Sequence, residues 1–252
     1  MLPTSPCFVL YLEMIKDLNL SYSQLKGLIN KYSFENIYFF TNNCDISIKS
    51  LISELNSMKL LCNPKNVMTP TYLLIKYCKA LMPTFSAYPI SYNNDLWDFY
   101  AQDIKINYEN PDIIFICTNN LRKKHLDLIQ NSNIPIAISS NLCINRLANC
   151  TSCTKKCYIK TIISNYKNRV ILPDPPPFYN SSIYKQLNIQ PKHTVLISHS
   201  LRDDYIQYKR TGCKFVLILK DKKNKDKYLN LPHSIDIVAD NFDNLSNFLN
   251  LK

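Results

Sequence analysis

Glycine is nearly missing from this chain, with two residues in 252. A collagen-like repeat and a Gly/Ser linker are therefore excluded, and an aromatic content of 12% excludes a disordered chain. Long apolar runs are also missing. None approaches the roughly 20 residues needed to span a bilayer. The start, Met1-Leu2-Pro3-Thr4-Ser5-Pro6, has neither the basic n-region of a signal peptide nor the Arg-rich face of a transit peptide. No membrane association is expected, and a soluble intracellular protein, by default cytoplasmic, is the expectation. Acidic residues are scarce, 19 against 30 Lys and Arg. Part of that +11 balance belongs with the abundance of Asn, Lys, Ile and Tyr that an AT-rich gene imposes. The remainder favours a polyanionic neighbour, either nucleic acid or a large ribonucleoprotein.

Cysteine, in contrast, is plentiful. Ten thiols in an intracellular chain read as free cysteines or metal ligands, not as a disulfide framework. Short β-rich apolar runs alternate with segments of helical periodicity, which predicts an α/β fold with a mostly parallel sheet. Strands are expected at 8–12, 36–40, 113–117, 134–139, 170–172, 195–198 and 215–219. Helices are expected over about 22–32 and 47–60, the latter with Ile48, Leu51, Ile52 and Leu55 on one face. Strand–helix–strand crossovers are right-handed and place functional groups at the carboxyl ends of the strands. Those ends are Tyr11–Glu13, Thr41–Asn43, Pro173–Asp174 and His199–Asp204.

The motifs at these ends resemble the haloacid dehalogenase (HAD) superfamily, in the cap-bearing class of p-nitrophenylphosphatase, phosphoglycolate phosphatase and NagD-like enzymes. Ile37-Tyr38-Phe39-Phe40-Thr41-Asn42-Asn43 is similar to that class's strand ending in Thr-Asn-Asn. Val195-Leu196-Ile197-Ser198-His199 through Asp204, with the later Arg210-Thr211-Gly212 turn, is similar to its last strand–loop–helix. The resemblance implies a Rossmannoid core of residues 1–72 and 168–252. It also implies an inserted, smaller α/β cap of the C2 type over 73–167.

The resemblance further implies which positions carry the family's chemistry, and here the chain departs from the pattern. The family's nucleophilic aspartate matches Tyr11, and its general acid matches Glu13. Its phosphate-binding hydroxyl matches Thr41, with Asn42 beside it. Its motif lysine matches Asp174, and its two late acidic residues match His199 and Asp204. A tyrosine with a pKa near 10 is a poor nucleophile at neutral pH and offers magnesium no carboxylate. Asp174 reverses the charge at the anion site. An alignment with Asp17 as nucleophile is rejected, because Asp17 falls several residues past the strand end. Each surviving group also has a plain structural reading. Thr41, Asn42 and Asn43 can cap the next helix. Asp204 can be a remnant magnesium ligand, or can cap or pair with Arg202 or Lys209, and Glu13 can do acid–base chemistry or be a half-buried strand-end acid. His199 can be a base, a zinc ligand or neutral filler.

Within the cap, the loop 143–157 carries Cys143, Cys150, Cys153 and Cys157, spaced C-x6-C-x2-C-x3-C. Four thiolates suit tetrahedral zinc, or an iron–sulfur cluster. The alternative is a set of packed thiols. Arg146, Lys155 and Lys156 flank the cluster, and Arg122, Lys123 and Lys124 form a second basic group. Together they are the expected contacts to RNA phosphate or to a partner, without sequence specificity. The expectation is a catalytically degenerate phosphatase fold acting as a subunit or accessory factor of a larger complex, with no cofactor at the HAD site and with homodimers as an option. The alternative is a magnesium-dependent phosphatase acting on a small phosphate ester.

Overall fold

A computed structural model describes residues 6–60, 62–91, 94–118, 121–139, 158–172, 188–199, 212–219, 235–242 and 244–245. The chain divides into two compact units. The first comprises 1–41, 52–68 and 184–252, and the second comprises 42–51 and 69–183.

The first unit is built on a six-stranded sheet, every pair of which is parallel. Its strands are β1 (Cys7–Tyr11), β2 (Ile37–Phe40), β3 (Val67–Met68), β9 (Thr194–Ser198), β10 (Lys214–Ile218) and β11 (Ile237–Ala239). Their spatial order is β11-β10-β9-β1-β2-β3. The runs CFVLY, IYFF, TVLIS and KFVLI are almost wholly buried. Continuous apolar strands of this kind belong to a parallel sheet covered on both faces. Helix α1 (Leu12–Asp17) follows β1 without a loop, burying Leu12, Met14 and Ile15. Helix α2 (Tyr22–Tyr32) buries Leu25, Leu28 and Ile29 at helical spacing. The predicted helix over 47–60 forms as α3 (Ile48–Ser57).

The second unit has a five-stranded parallel sheet. It consists of β4 (Ser86–Ile90), β5 (Lys105–Ile106), β6 (Ile113–Ile116), β7 (Ile136–Ile138) and β8 (Val170–Ile171), in the order β5-β4-β6-β7-β8. Its helices are α4 (Pro70–Leu81), α5 (Trp97–Tyr100), α6 (Lys123–Asn131) and α7 (Tyr158–Asn165). Strand β6 shows the period of two that separates the faces. Ile113 and Phe115 join Phe85, Phe99 and Leu74 on one side. Ile114 and Ile116 join Ile129, Ile136 and Ile159 on the other. Phe115 contacts the rings of Phe85 and Phe99, at centroid distances of 5.8 and 5.1 Å.

The unit boundaries differ from those expected at 72/73 and 167/168. Strand β8, expected in the core, pairs instead with β7 in the second sheet, Val170 opposite Ile136 and Ile171 opposite Ala137. The reason is packing. Ile171 faces one hydrophobic cluster of that sheet, while Val170 and Leu172 face the other. Segment 42–51 and residues 69–72 likewise belong to the second unit.

The scarcity of glycine has a local consequence. Among the described residues, six left-handed positions besides that of Gly212 are filled by other residues: Asn19, Ser33, Lys59, Asn94, Asp103 and Asn188. Ser33, which ends α2, lies at φ 61°, ψ 153°, a region that side chains other than glycine enter at a cost of about 1–3 kcal/mol. Its hydroxyl accepts the Glu35 N–H at a long 3.3 Å, which offsets little of that cost. Lys59, at φ 61°, stands where a helix-ending glycine is preferred, with Leu60 N–H donating back to the Leu55 carbonyl at 2.9 Å. Ser33→Gly is expected to raise stability by about 1 kcal/mol and Lys59→Gly by somewhat less. The urea midpoint should rise in both variants with an unchanged slope.

Candidate functional site

In a parallel sheet the crevice lies outside the carboxyl ends of the strands, where the strand order reverses. In the first unit that reversal falls between β1 and β9. The register sets Tyr11 opposite Phe40 and Leu10 opposite Ile197, so β1, β2 and β9 end at nearly the same level. Thr41 and His199 are the residues immediately after β2 and β9, and Glu13 is the second residue of α1.

Tyr11, at the end of the central strand, is 1% exposed. Its ring meets Phe40 edge to face at a centroid distance of 5.1 Å. Such a ring is a core element, held by packing as much as by any polar contact. Thr41 is fully buried, and its hydroxyl donates to Glu13 Oε1 at 2.6 Å. Two of the sequence-predicted groups are thus brought together and bonded to each other. His199 Nε2 lies 2.9 Å from Asp17 Oδ2, and the histidine side chain is only 15% exposed.

Sequence reasoning passes over Asp17 because it falls beyond the strand end. The structure places it as the last residue of α1 and joins it to the end of β9. The signal that could have found it is the spacing of Glu13 and Asp17. Four residues apart on a helix that starts directly after the strand, they share one face. Lys16 of the same helix pairs with Glu54.

Asn42 opens the segment 42–51 that packs with the second unit, so the proposed Thr41–Asn42 pair falls at a unit boundary. Arg122, Lys123 and Lys124 are exposed at the amino end of α6. No acidic residue occurs in its first turn, so three positive charges face the positive end of the helix dipole. Burial first, then the charges of Lys124 and Arg122, lower the pKa of His125. Its Nδ1 accepts the Arg122 N–H at 3.2 Å, as a neutral imidazole does. Asp174, Asp204, Arg146, Lys155, Lys156 and the cysteines at 143, 150, 153 and 157 lie outside the described residues. Of the cysteines that are described, Cys44, Cys78, Cys117 and Cys213 are buried. Burial pushes the thiols of Cys78 and Cys117 up to about 12, which makes them inert packing groups.

No protein-family model and no curated protein matches the chain. Solved structures do. A 4-nitrophenylphosphatase from Thermotoga maritima is similar over 95% of this chain and 95% of its own, with a TM-score of 0.71 and 17% identity. A double mutant of a thermostable NPPase from Geobacillus stearothermophilus is similar over 94% and 96%, with a TM-score of 0.69 and 14% identity. A p-nitrophenyl phosphatase from Archaeoglobus fulgidus is similar over 97% and 99%, with a TM-score of 0.67 and 14% identity.

Magnesium, the ion that the resemblance implies, needs a near-octahedral shell of oxygens including carboxylates. Tyr11 offers a phenol in place of the first carboxylate, Glu13 Oε1 is engaged by Thr41, and Asp17 Oδ2 by His199. Among the described residues no three His, Cys, Asp or Glu side chains form a group able to hold a metal ion. Among those residues, too, no helix is long and apolar enough to cross a membrane. Two parallel sheets flanked by helices, matched along nearly the whole chain, establish that this chain has the HAD-like fold of the NagD and p-nitrophenylphosphatase type.

Proposed function

We propose that this chain is a phosphatase fold without phosphatase chemistry, working as a binding or structural subunit of a larger complex. The observation that carries the reading is the buried Tyr11 at the end of β1, where the resemblance expects a nucleophilic aspartate. The Thr41–Glu13 hydrogen bond supports it, because two groups that would serve a phosphate ester instead satisfy each other. Phosphoryl transfer of this type needs a carboxylate to attack phosphorus, and a phenol with pKa near 10 does not supply one at neutral pH.

The partner is proposed to be polyanionic, an RNA or a ribonucleoprotein. Its support is the net charge of +11 and the exposed Arg122–Lys124 group, whose charges oppose the α6 dipole and would be relieved by phosphate. A zinc ion at Cys143, Cys150, Cys153 and Cys157, and pairing of two copies, belong to the same proposal as further means of assembly. The test is the native size of the protein in extracts of its source cells, by sedimentation with and without RNase. A large RNase-sensitive particle is expected, weakened by charge reversal at Arg122, Lys123 and Lys124. A free monomer or dimer would remove the subunit role.

A second reading is a phosphatase acting on a small phosphate ester. It is favoured by the names of the similar structures and by the two carboxylates, Glu13 and Asp17, that stand beside the strand ends. It requires turnover that depends on one of those carboxylates.

A further inference from the structure

The second unit contains a buried acid that the site described above does not use. Asp98, in α5, is 2% exposed. Its Oδ1 accepts the Ile48 N–H at 2.8 Å, at the start of α3. Its Oδ2 accepts the hydroxyl of Thr69, the N-cap of α4, whose Oγ1 accepts the Tyr72 N–H at 3.1 Å. Just before α5, Asp95 accepts the Ser50 hydroxyl at 2.8 Å and the Ser47 N–H at 3.3 Å. Ile48 and Thr69 lie in the two stretches by which the chain passes into this unit, 42–51 and the start of 69–183. One carboxyl therefore ties the two stretches together.

Among the described residues, the groups around Asp98 are acidic or neutral. Asp95 faces it from its own loop, Asp45 lines the same small crevice from the segment before α3, and Cys117 lines it from the end of β6. Tyr72 faces it from α4. The cations of the packed elements have other partners. Lys49 of α3 sits over the Trp97 ring at 4.9 Å, and Lys76 of α4 over the Tyr72 ring at 5.3 Å. Lys79 of α4 donates to the Gln102 carbonyl at 2.8 Å. A negative charge at Asp98 is thus desolvated and beside another negative charge, with hydrogen bonds as its compensation.

We propose that Asp98 is a proton-operated clasp, closed when protonated and loosened when it ionises, that sets how firmly segment 42–51 and the head of α4 are tied into the second unit. Protonation on Oδ2 reverses the bond to Thr69, the acid donating to Oγ1, while Oδ1 keeps the Ile48 N–H. One hydrogen bond joins the two groups in either state, and the Thr69 hydroxyl hydrogen gives up its acceptor when the acid donates. Burial raises the carboxyl from 3.8 to about 6, against the pull of the Ile48 and Thr69 hydrogen bonds. A pKa raised on folding gives stability that is complete below the unfolded value and is lost as pH rises through the folded one. The clasp is therefore tightest below about pH 4 and loosest above about pH 7.

Amide hydrogen exchange at Ile48, corrected for intrinsic rates, reads the opening directly. In the full-length protein the opening constant should rise by about a hundredfold between pH 4 and pH 7.5, the span set by two pKa units. In Asp98→Asn the same constant should be flat across that range. A flat profile in the wild type, or an equal rise in Asp98→Asn, overturns the clasp. Carboxyl carbon NMR of the wild type needs no variant. A midpoint for Asp98 near 6 is expected, and one below about 4.5 overturns it.

Discussion

Tyr11→Asp, which would restore the residue type that the resemblance expects at the end of β1, should destabilise the protein by about 4 kcal/mol or more. Tyr11 is 1% exposed and its ring packs edge to face on Phe40. Removing a buried aromatic ring costs about 3–5 kcal/mol through lost burial and the cavity left behind. The new carboxylate would be buried beside Glu13, two residues along the chain. Against a total stability of about 5–15 kcal/mol, that loss is severe. Tyr11→Phe keeps the ring and should cost far less. The two variants are compared by urea unfolding, with near-equal slopes showing that the same surface is exposed. A Tyr11→Asp protein as stable as the wild type would mean that the strand end has room and solvent for an acid, and the site would then not have been rebuilt as core.

What the sequence makes legible depends on the physics of each element. Strands β1, β2, β9 and β10 are continuous apolar runs, and the helix at 22–32 has clean 3.6-residue spacing, so local pattern identifies them. Strand β8 is legible as a strand, but its sheet is not. A two-residue strand carries no information about its partner, and only the two hydrophobic clusters it completes assign it to β7. Helix α1 escapes detection because it follows β1 with no turn signal and only six residues of its own. With it goes the face shared by Glu13 and Asp17. The meeting of Thr41 with Glu13 and of His199 with Asp17 spans 28 and 182 residues of chain, which no local spacing encodes. The family resemblance picks out three of these four residues, and the rejection of Asp17 as a nucleophile says nothing of its hydrogen bond. The acids at 95 and 98 give no signal either. They lie beside exposed aromatic residues in a short turn-rich stretch, and their hydrogen bonds depend on the segment 42–51 that folds over from far upstream.

The second large effect concerns turnover. A working aspartyl-phosphate mechanism needs its nucleophile, its acid and its ion together, and loss of one member commonly removes several powers of ten in rate. On the proposed reading Tyr11 stands where the resemblance expects the nucleophile, and Glu13 is bonded to Thr41. The remaining groups would then add little, since members of a catalytic unit do not contribute independently. The measurement that decides this is hydrolysis of p-nitrophenyl phosphate with magnesium by the purified full-length protein, run beside Glu13→Ala and Asp17→Ala. Release of nitrophenol at the buffer rate in all three is the expected result. Magnesium-dependent release by the wild type that disappears in either variant would contradict the account and make this chain a phosphatase.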